Sequence, residues 1–149
     1  MAKFVFKLEA LRKMREREER THKLEVAELE RQRLEIEDRI RSAQRSIGEG
    51  KQDLREALGS GAVDLRGARS QAHASLAMTA KAQMEAVRLA GVLKRLEAAR
   101  QGLREASARR RAVDLLRDRR FEAWKRDEAR KEAADSDEIG TRRAFRRGE

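Results

Sequence analysis

The chain has 149 residues, of which 43% are Asp, Glu, Lys or Arg and only 3% are aromatic, and its formal net charge is +10. That length suits one ordinary domain, but so much charge leaves too little apolar side chain for a globular core. The composition instead suits long helices that each bury one narrow stripe, and the absence of cysteine excludes disulfide and thiolate chemistry.

Disorder is the competing reading of so charged a chain. The absence of proline and the wealth of Ala, Leu, Glu, Lys and Arg favour helix. The opening Met1-Ala2-Lys3-Phe4-Val5-Phe6-Lys7 has charges inside its short apolar run, so no signal peptide is expected, and nothing reaches the length of a membrane span. The protein is expected to be soluble and cytoplasmic, with nucleic acid or an acidic protein surface as the partner its charge invites.

In chain order, a first helix is expected over about residues 3–58. Phe4, Leu8, Leu11 and Met14 open it at helical spacing, and a polar gap from Arg15 to Lys23 follows, expected to be exposed around much of its girth. Apolar residues resume at Leu24 and Leu29 and continue at coiled-coil spacing through Ile36, Ile40, Ala43, Ile47, Leu54 and Ala57. Gly48 and Gly50 weaken this helix, at about 1 kcal/mol each relative to alanine.

Gly59-Ser60-Gly61 reads as a turn, since glycine takes positive φ without penalty and serine bonds nearby amides. A second helix over about 62–134 carries a stripe through Leu65, Ala68, Ala72, Leu76, Ala82, Ala86, Leu89, Leu93, Leu96 and Leu103, then Ala106, Val113 and Leu116. The fold class expected is all-α: two long helices in an antiparallel coiled-coil hairpin over 1–139, the second overhanging the first. A flexible, disordered basic tail follows at 140–149. Folding back at 59–61 sets Phe4 and Phe6 near Leu116 and Val113.

No catalytic constellation emerges. Gly48-Glu49-Gly50-Lys51 lacks the earlier glycine, the following Ser or Thr and the preceding strand of a phosphate loop. His22 and His73 fall at different levels of a hairpin and cannot share a metal. The carboxylates read as solvated, salt-bridging helix faces. No enzyme, cofactor or metal is expected.

All five aromatics lie near the termini: Phe4, Phe6, Phe121, Trp124 and Phe145. Folding back gathers at least the first four at one end. They read either as a hydrophobic clamp against fraying or as a docking end, since Trp, Phe and Arg are enriched at interface hot spots. Basic charge alone supplies non-specific nucleic-acid affinity, but acids are interleaved through the basic runs and no aromatics line a groove for stacking bases.

Both ends resemble the flagellar export protein FliJ family: Lys3-Phe4-Val5-Phe6-Lys7-Leu8-Glu9-Ala10-Leu11 with Arg15-Glu16-Arg17-Glu18-Glu19, and Leu115-Leu116 through Arg119-Arg120, Trp124, Asp127-Glu128, Asp137-Glu138 and Arg142-Arg143. The middle matches only in character. The resemblance implies a small antiparallel coiled coil of the type III export apparatus, similar to the stalk of rotary ATPases. It would couple the export ATPase FliI to the export gate FlhA, with links to the ATPase regulator FliH and to export chaperones. It would lie in the cytoplasm, peripheral to the inner face of the cell membrane. By that resemblance the ATPase is met at the end carrying both termini, through Phe4, Phe6, Arg119, Arg120, Phe121, Trp124 and Arg126. The gate would be met nearer the turn, with Leu76 as the expected leucine. His73 stands where an aromatic is expected. A basic coiled coil binding nucleic acid or ribosome, and a self-associating scaffold coil, are the alternatives.

Overall fold

In a computed structural model of the chain, residues 3–59 and 64–147 are described, with side chains as far as residue 138. Two helices account for nearly all of them: α1, Glu9–Gly59, and α2, Leu65–Arg147. No strand occurs among the described residues. The hairpin of two long antiparallel helices is the fold the periodicity predicts.

Local chemistry explains the helix starts. The Glu9 N–H donates to the Phe6 carbonyl at 3.1 Å, and Glu9 places an acid in the first turn. Residues 3–6 precede this turn and are not helical, so α1 starts later than expected. At the other junction Asp64 acts as an N-cap: its Oδ1 accepts from the Arg66 N–H at 3.0 Å, and its carbonyl accepts from Ala68 at 2.9 Å. Of the expected turn triplet, Gly59 closes α1, while Ser60 and Gly61 lie outside the described residues. The backbone of α2 is helical beyond Ala134, as far as Arg147, and so through most of the segment expected as a tail.

The contacts sort into two units, residues 21–103 and residues 1–20 with 104–149. In the unit of residues 21–103, Leu29, Ile36 and Ala43 of α1 are buried at seven-residue spacing, and Val92, Leu96 and Ala99 of α2 are buried opposite them. Leu29, Leu96 and Ala99 form one cluster with Val26 packed on it. The expected α2 stripe is corrected here. Ala72 and Ala86 are exposed, and Leu65, Leu76 and Leu93 are 77%, 67% and 44% exposed. The seam passes through Leu89, Val92, Leu96 and Ala99, a frame the alanine-rich sequence does not single out. Leu24, 67% exposed, also stands outside the seam.

In the unit of residues 1–20 and 104–149, Phe6 and Ala106 are the buried apolar residues. The polar gap is exposed around much of its girth but also reaches the seam: Arg15 is half-buried and Glu19 is 6% exposed, and Arg12, just before the gap, is half-buried. The register also differs from the expected one. Arg12 meets Asp114 and Glu19 meets Ser107, so each α1 residue lies roughly one and a half turns further along α2 than a fold-back on Ser60 gives. The bounds of the helices agree with that shift, since α1 ends at Gly59 and α2 starts at Leu65.

Candidate docking end

Residues 3–6 read Lys-Phe-Val-Phe and are neither helix nor strand. Phe4 and Phe6 turn toward α2, and Val5 is left 74% exposed. On α2, Phe121 and Trp124 are three residues apart and share a face. Their rings stack at 5.8 Å with 19° between planes. The Phe4 ring meets Phe121 edge-on at 5.2 Å and 68°, and Trp124 at 5.8 Å and 51°. These separations fall in the favourable range for aromatic pairs, each worth about 0.5–1.5 kcal/mol beyond the area it buries.

Two cations complete the cluster. The Arg120 guanidinium lies 5.8 Å from the centre of the buried Phe6 ring, and Lys125 Nζ lies 4.9 Å from that of Phe121. Phe121 remains 37% exposed and Trp124 half-buried, so the rings are only partly covered. Of the residues expected at this end, the structure brings together Phe4, Phe6, Arg120, Phe121 and Trp124. Arg119 and Arg126 are exposed and by helical spacing face away from the rings. Arg120 is exposed as well, with its guanidinium over the Phe6 ring. The Phe4 ring packs on Phe121 and Trp124, further along α2 than the Leu116 and Val113 level expected, and Phe6 lies beneath Arg120.

Below the rings, a polar network holds α1 to α2. Glu19 accepts from Ser107 Oγ at 2.9 Å and lies 2.6 Å from Arg110 Nε. Arg110 also reaches Asp114 at 3.6 Å, and Asp114 faces Arg12 at 3.9 Å. Arg12 in turn donates to Glu9 at 2.8 Å. That hydrogen bond, with the charge behind it, holds the Glu9 carboxyl below its ordinary range and raises the Arg12 guanidinium above its own. Buried polar residues at seam positions fix which residues pair, a use of polarity well attested in coiled coils. Sequence reading misses Glu19 because an acid among five charged neighbours looks like a solvated face.

The residues expected at a gate-facing surface lie in the unit of residues 21–103. His73 and Leu76 are both exposed, and Met84 and Val87, 61% and 74% exposed, follow Leu76 on the same helical face. The stretch that holds His73 and Leu76 is marked by composition, since no Asp, Glu, Lys or Arg occurs from Ser70 to Ala80 in a chain that is 43% charged, whereas Met84 and Val87 lie beyond it among Lys81, Glu85 and Arg88.

Neither histidine joins a metal set. His22 packs on Gly102 and its Nδ1 lies 3.5 Å from Glu25, and no cluster of three metal-ligating side chains occurs among the described residues. No helix among the described residues is long and apolar enough to cross a membrane.

A family model described as Flagellar FliJ protein matches residues 4–149. No curated protein and no solved structure matches the chain.

Proposed function

Because the chain belongs to the flagellar FliJ family, we propose that it is the stalk-like coiled coil of the flagellar export apparatus, coupling the export ATPase to the export gate. The family supports a flagellar export component without chemistry of its own; hydrolysis would belong to the ATPase. The observation that carries the coupling role is the partly covered ring cluster of Phe4, Phe121 and Trp124. A clamp needs only to bury its rings, whereas this one keeps Phe121 37% exposed. Aromatic and arginine side chains at one end suit the wall of an opening in the ATPase.

The uncharged face of Leu76, Met84 and Val87, with His73 beside it, is the surface we assign to the gate's cytoplasmic domain. The ATPase regulator and export chaperones are further partners of this reading, which puts the protein in the cytoplasm against the inner face of the membrane. Trp124 is the chain's single tryptophan and reports on docking directly. Its emission should shift to the blue, saturably, when purified export ATPase is added; an unchanged spectrum means the ATPase is met elsewhere. Leu76→Asp with Val87→Asp should abolish capture of the gate domain and leave the ATPase-induced shift intact. If gate capture survives, the gate surface is wrongly assigned.

A further inference from the structure

Residues 68–93 of α2 carry three columns at seven-residue spacing. Ala68, Ser75, Ala82 and Leu89 are half-buried and form the middle one. Gln71, Met78, Glu85 and Val92 flank it on one side and complete the seam with α1. Gln71 is half-buried against Gly50, Met78 is 37% exposed, and Glu85 and Val92 are 5% and 3% exposed. Ala72, Thr79, Ala86 and Leu93 flank the middle column on the other side and are exposed. Either flank alternates with the middle column at three-four spacing, so each makes a coiled-coil frame.

The frame in use has the less apolar flank. It buries an amide and an acid, whereas the idle flank holds two alanines, a leucine and a threonine. The Thr79 hydroxyl donates to the Ser75 carbonyl of its own helix at 2.8 Å, so it would carry no unmatched group into a seam. Glu85 is not so well met. Its Oε1 accepts from Arg88 at 2.6 Å, but its buried Oε2 has no hydrogen-bond partner among the described residues. Arg39, at 3.8 Å, is too far to supply one. A cleft of about 170 Å³ opens beside this carboxylate, between the small side chains of Ala43, Ser46 and Ala82. Packing is loose at the point where an acid is buried.

We propose that residues 68–93 of α2 have two frames on α1: the one described, and a second in which this stretch has turned by about 50° on its own axis. The turn is half of the angle between successive residues, because the middle column stays in the seam in both frames. It takes Glu85 through the cleft toward solvent and Arg39, and it brings in Ala86 and Leu93. It ends near Leu93, since the idle column continues with Arg100, which Glu30 holds, while Leu96 and Ala99 are buried on Leu29. Gly91 is helical, a Cβ there would meet nothing within 4 Å, and it stands where the turn must be absorbed. Packed seams have discrete arrangements, so the two frames are alternative states of one element. The inference concerns the chain alone and does not rest on the partners proposed above. Leu76, Met84 and Val87 turn with the helix, so an occupant of that face would bias the frame.

The chain has no cysteine of its own, so spin labels can be attached at Arg45→Cys and Lys81→Cys, both exposed and outside the seam. In the second frame Lys81 swings away from α1 and the label distance grows by roughly 5 Å. The full-length chain should give two distances by double electron–electron resonance. Ala86→Glu, which puts an acid into the second frame alone, and Glu85→Leu, which removes one from the first alone, should each leave only the shorter distance. Val92→Glu should favour the longer one. Gln71→Glu should move the balance the same way, which keeps the test valid if circular dichroism shows Val92→Glu unfolded. A single distance in the native chain overturns the proposal, and so do two distances whose balance these variants leave unmoved.

Discussion

The two units use the same spacing and different chemistry. In residues 21–103 the α1 side of the seam runs through Val26, Leu29, Ile36, Ile40, Ala43 and Ile47. In residues 1–20 the same three-four spacing brings in Arg12, Arg15 and Glu19. Spacing decides which face of a helix is buried; the side chains decide how tightly the pairing is specified. Apolar packing is strong and non-directional, and a seam of small residues accepts more than one frame. An acid that must find Ser107 and Arg110 accepts one. The unit of residues 21–103 therefore supplies most of the adhesion, with one buried acid of its own, Glu85, held by Arg88 and facing Arg39 across the seam, and the other unit adds the polar contacts of Glu19 and the docking end.

The largest effect should come from the adhesive seam. Leu96, 2% exposed, packs on Leu29 and Ala99. Leu96→Ala should cost about 2–5 kcal/mol, read as an earlier loss of helix on heating. Leu115→Ala, on an exposed face, should stay within about 0.5 kcal/mol. Equal losses would mean that the seam carries less than its burial suggests.

Next is Glu19. Replacing it by alanine leaves Arg110 and Ser107 without their shared acceptor and should cost about 1–3 kcal/mol. Glu19→Leu should cost less and loosen the register instead. A cysteine pair at Arg12 and Asp114, which face each other at 3.9 Å, should crosslink within one molecule in the native sequence. With Glu19→Leu, crosslinks at positions one heptad away should appear beside it. A single crosslink in both backgrounds would mean that the apolar seam alone sets the register. The pair Leu8 and Val113, which a reversal at Ser60 would favour, should crosslink poorly in either.

Much of this was legible in the chain. The three-four spacing from Leu29 to Ile47 and the absence of proline dictate two helices, and an overhanging α2 brings Phe121 and Trp124 to the N-terminal segment. The register was not legible, because Ala82, Ala86, Leu89 and Leu93 make as regular a stripe as Leu89, Val92, Leu96 and Ala99. Only packing against Leu29 separates them. The role of Glu19 was hidden for a different reason: burial of a charge is invisible until its partner on the other helix is known. Arg119 and Arg120, both exposed, differ by one residue in sequence and by about 100° around the helix, enough to put only Arg120 over the Phe6 ring.

The glycines of α1 test the adhesive seam at finer scale. Both Gly48 and Gly50 are helical, yet they differ in what a methyl group would meet. At Gly48 nothing lies within 4 Å, so Gly48→Ala should stabilise by about 1 kcal/mol. Gly50 is buried at the seam, and a Cβ there would fall 2.1 Å from Nε2 of Gln71. That amide is the end of a flexible side chain and can swing aside, at the loss of its packing. Gly50→Ala should therefore gain little or nothing, against the 0.5–1 kcal/mol expected of an open helical glycine. A full gain at both sites would show that Gln71 contributes nothing to the seam.

The smallest effect expected is the acid response of Glu28, on the exposed side of the adhesive unit. Its carboxyl is lowered from 4.5 to about 2, first by hydrogen bonds from Arg31, at 2.7 and 3.0 Å, and then by one from Gln32 at 2.9 Å. A carboxyl that gives up its proton more readily when folded stabilises the helix while it is ionised in both states. This contribution is whole above the unfolded value near 4.5 and fades as pH falls toward 2. Glu28→Gln should therefore lower the melting temperature slightly at neutral pH, and the difference from the native chain should vanish at about pH 2. The group is fully exposed, so salt should shrink the difference at neutral pH as well. The buried Glu19 interaction is screened much less, and a salt titration of the two variants side by side separates a solvated helix pair from a seam contact. If Glu28→Gln melts as the native chain does at every pH, the Arg31 contacts are formed equally well in the unfolded helix and add nothing to the fold.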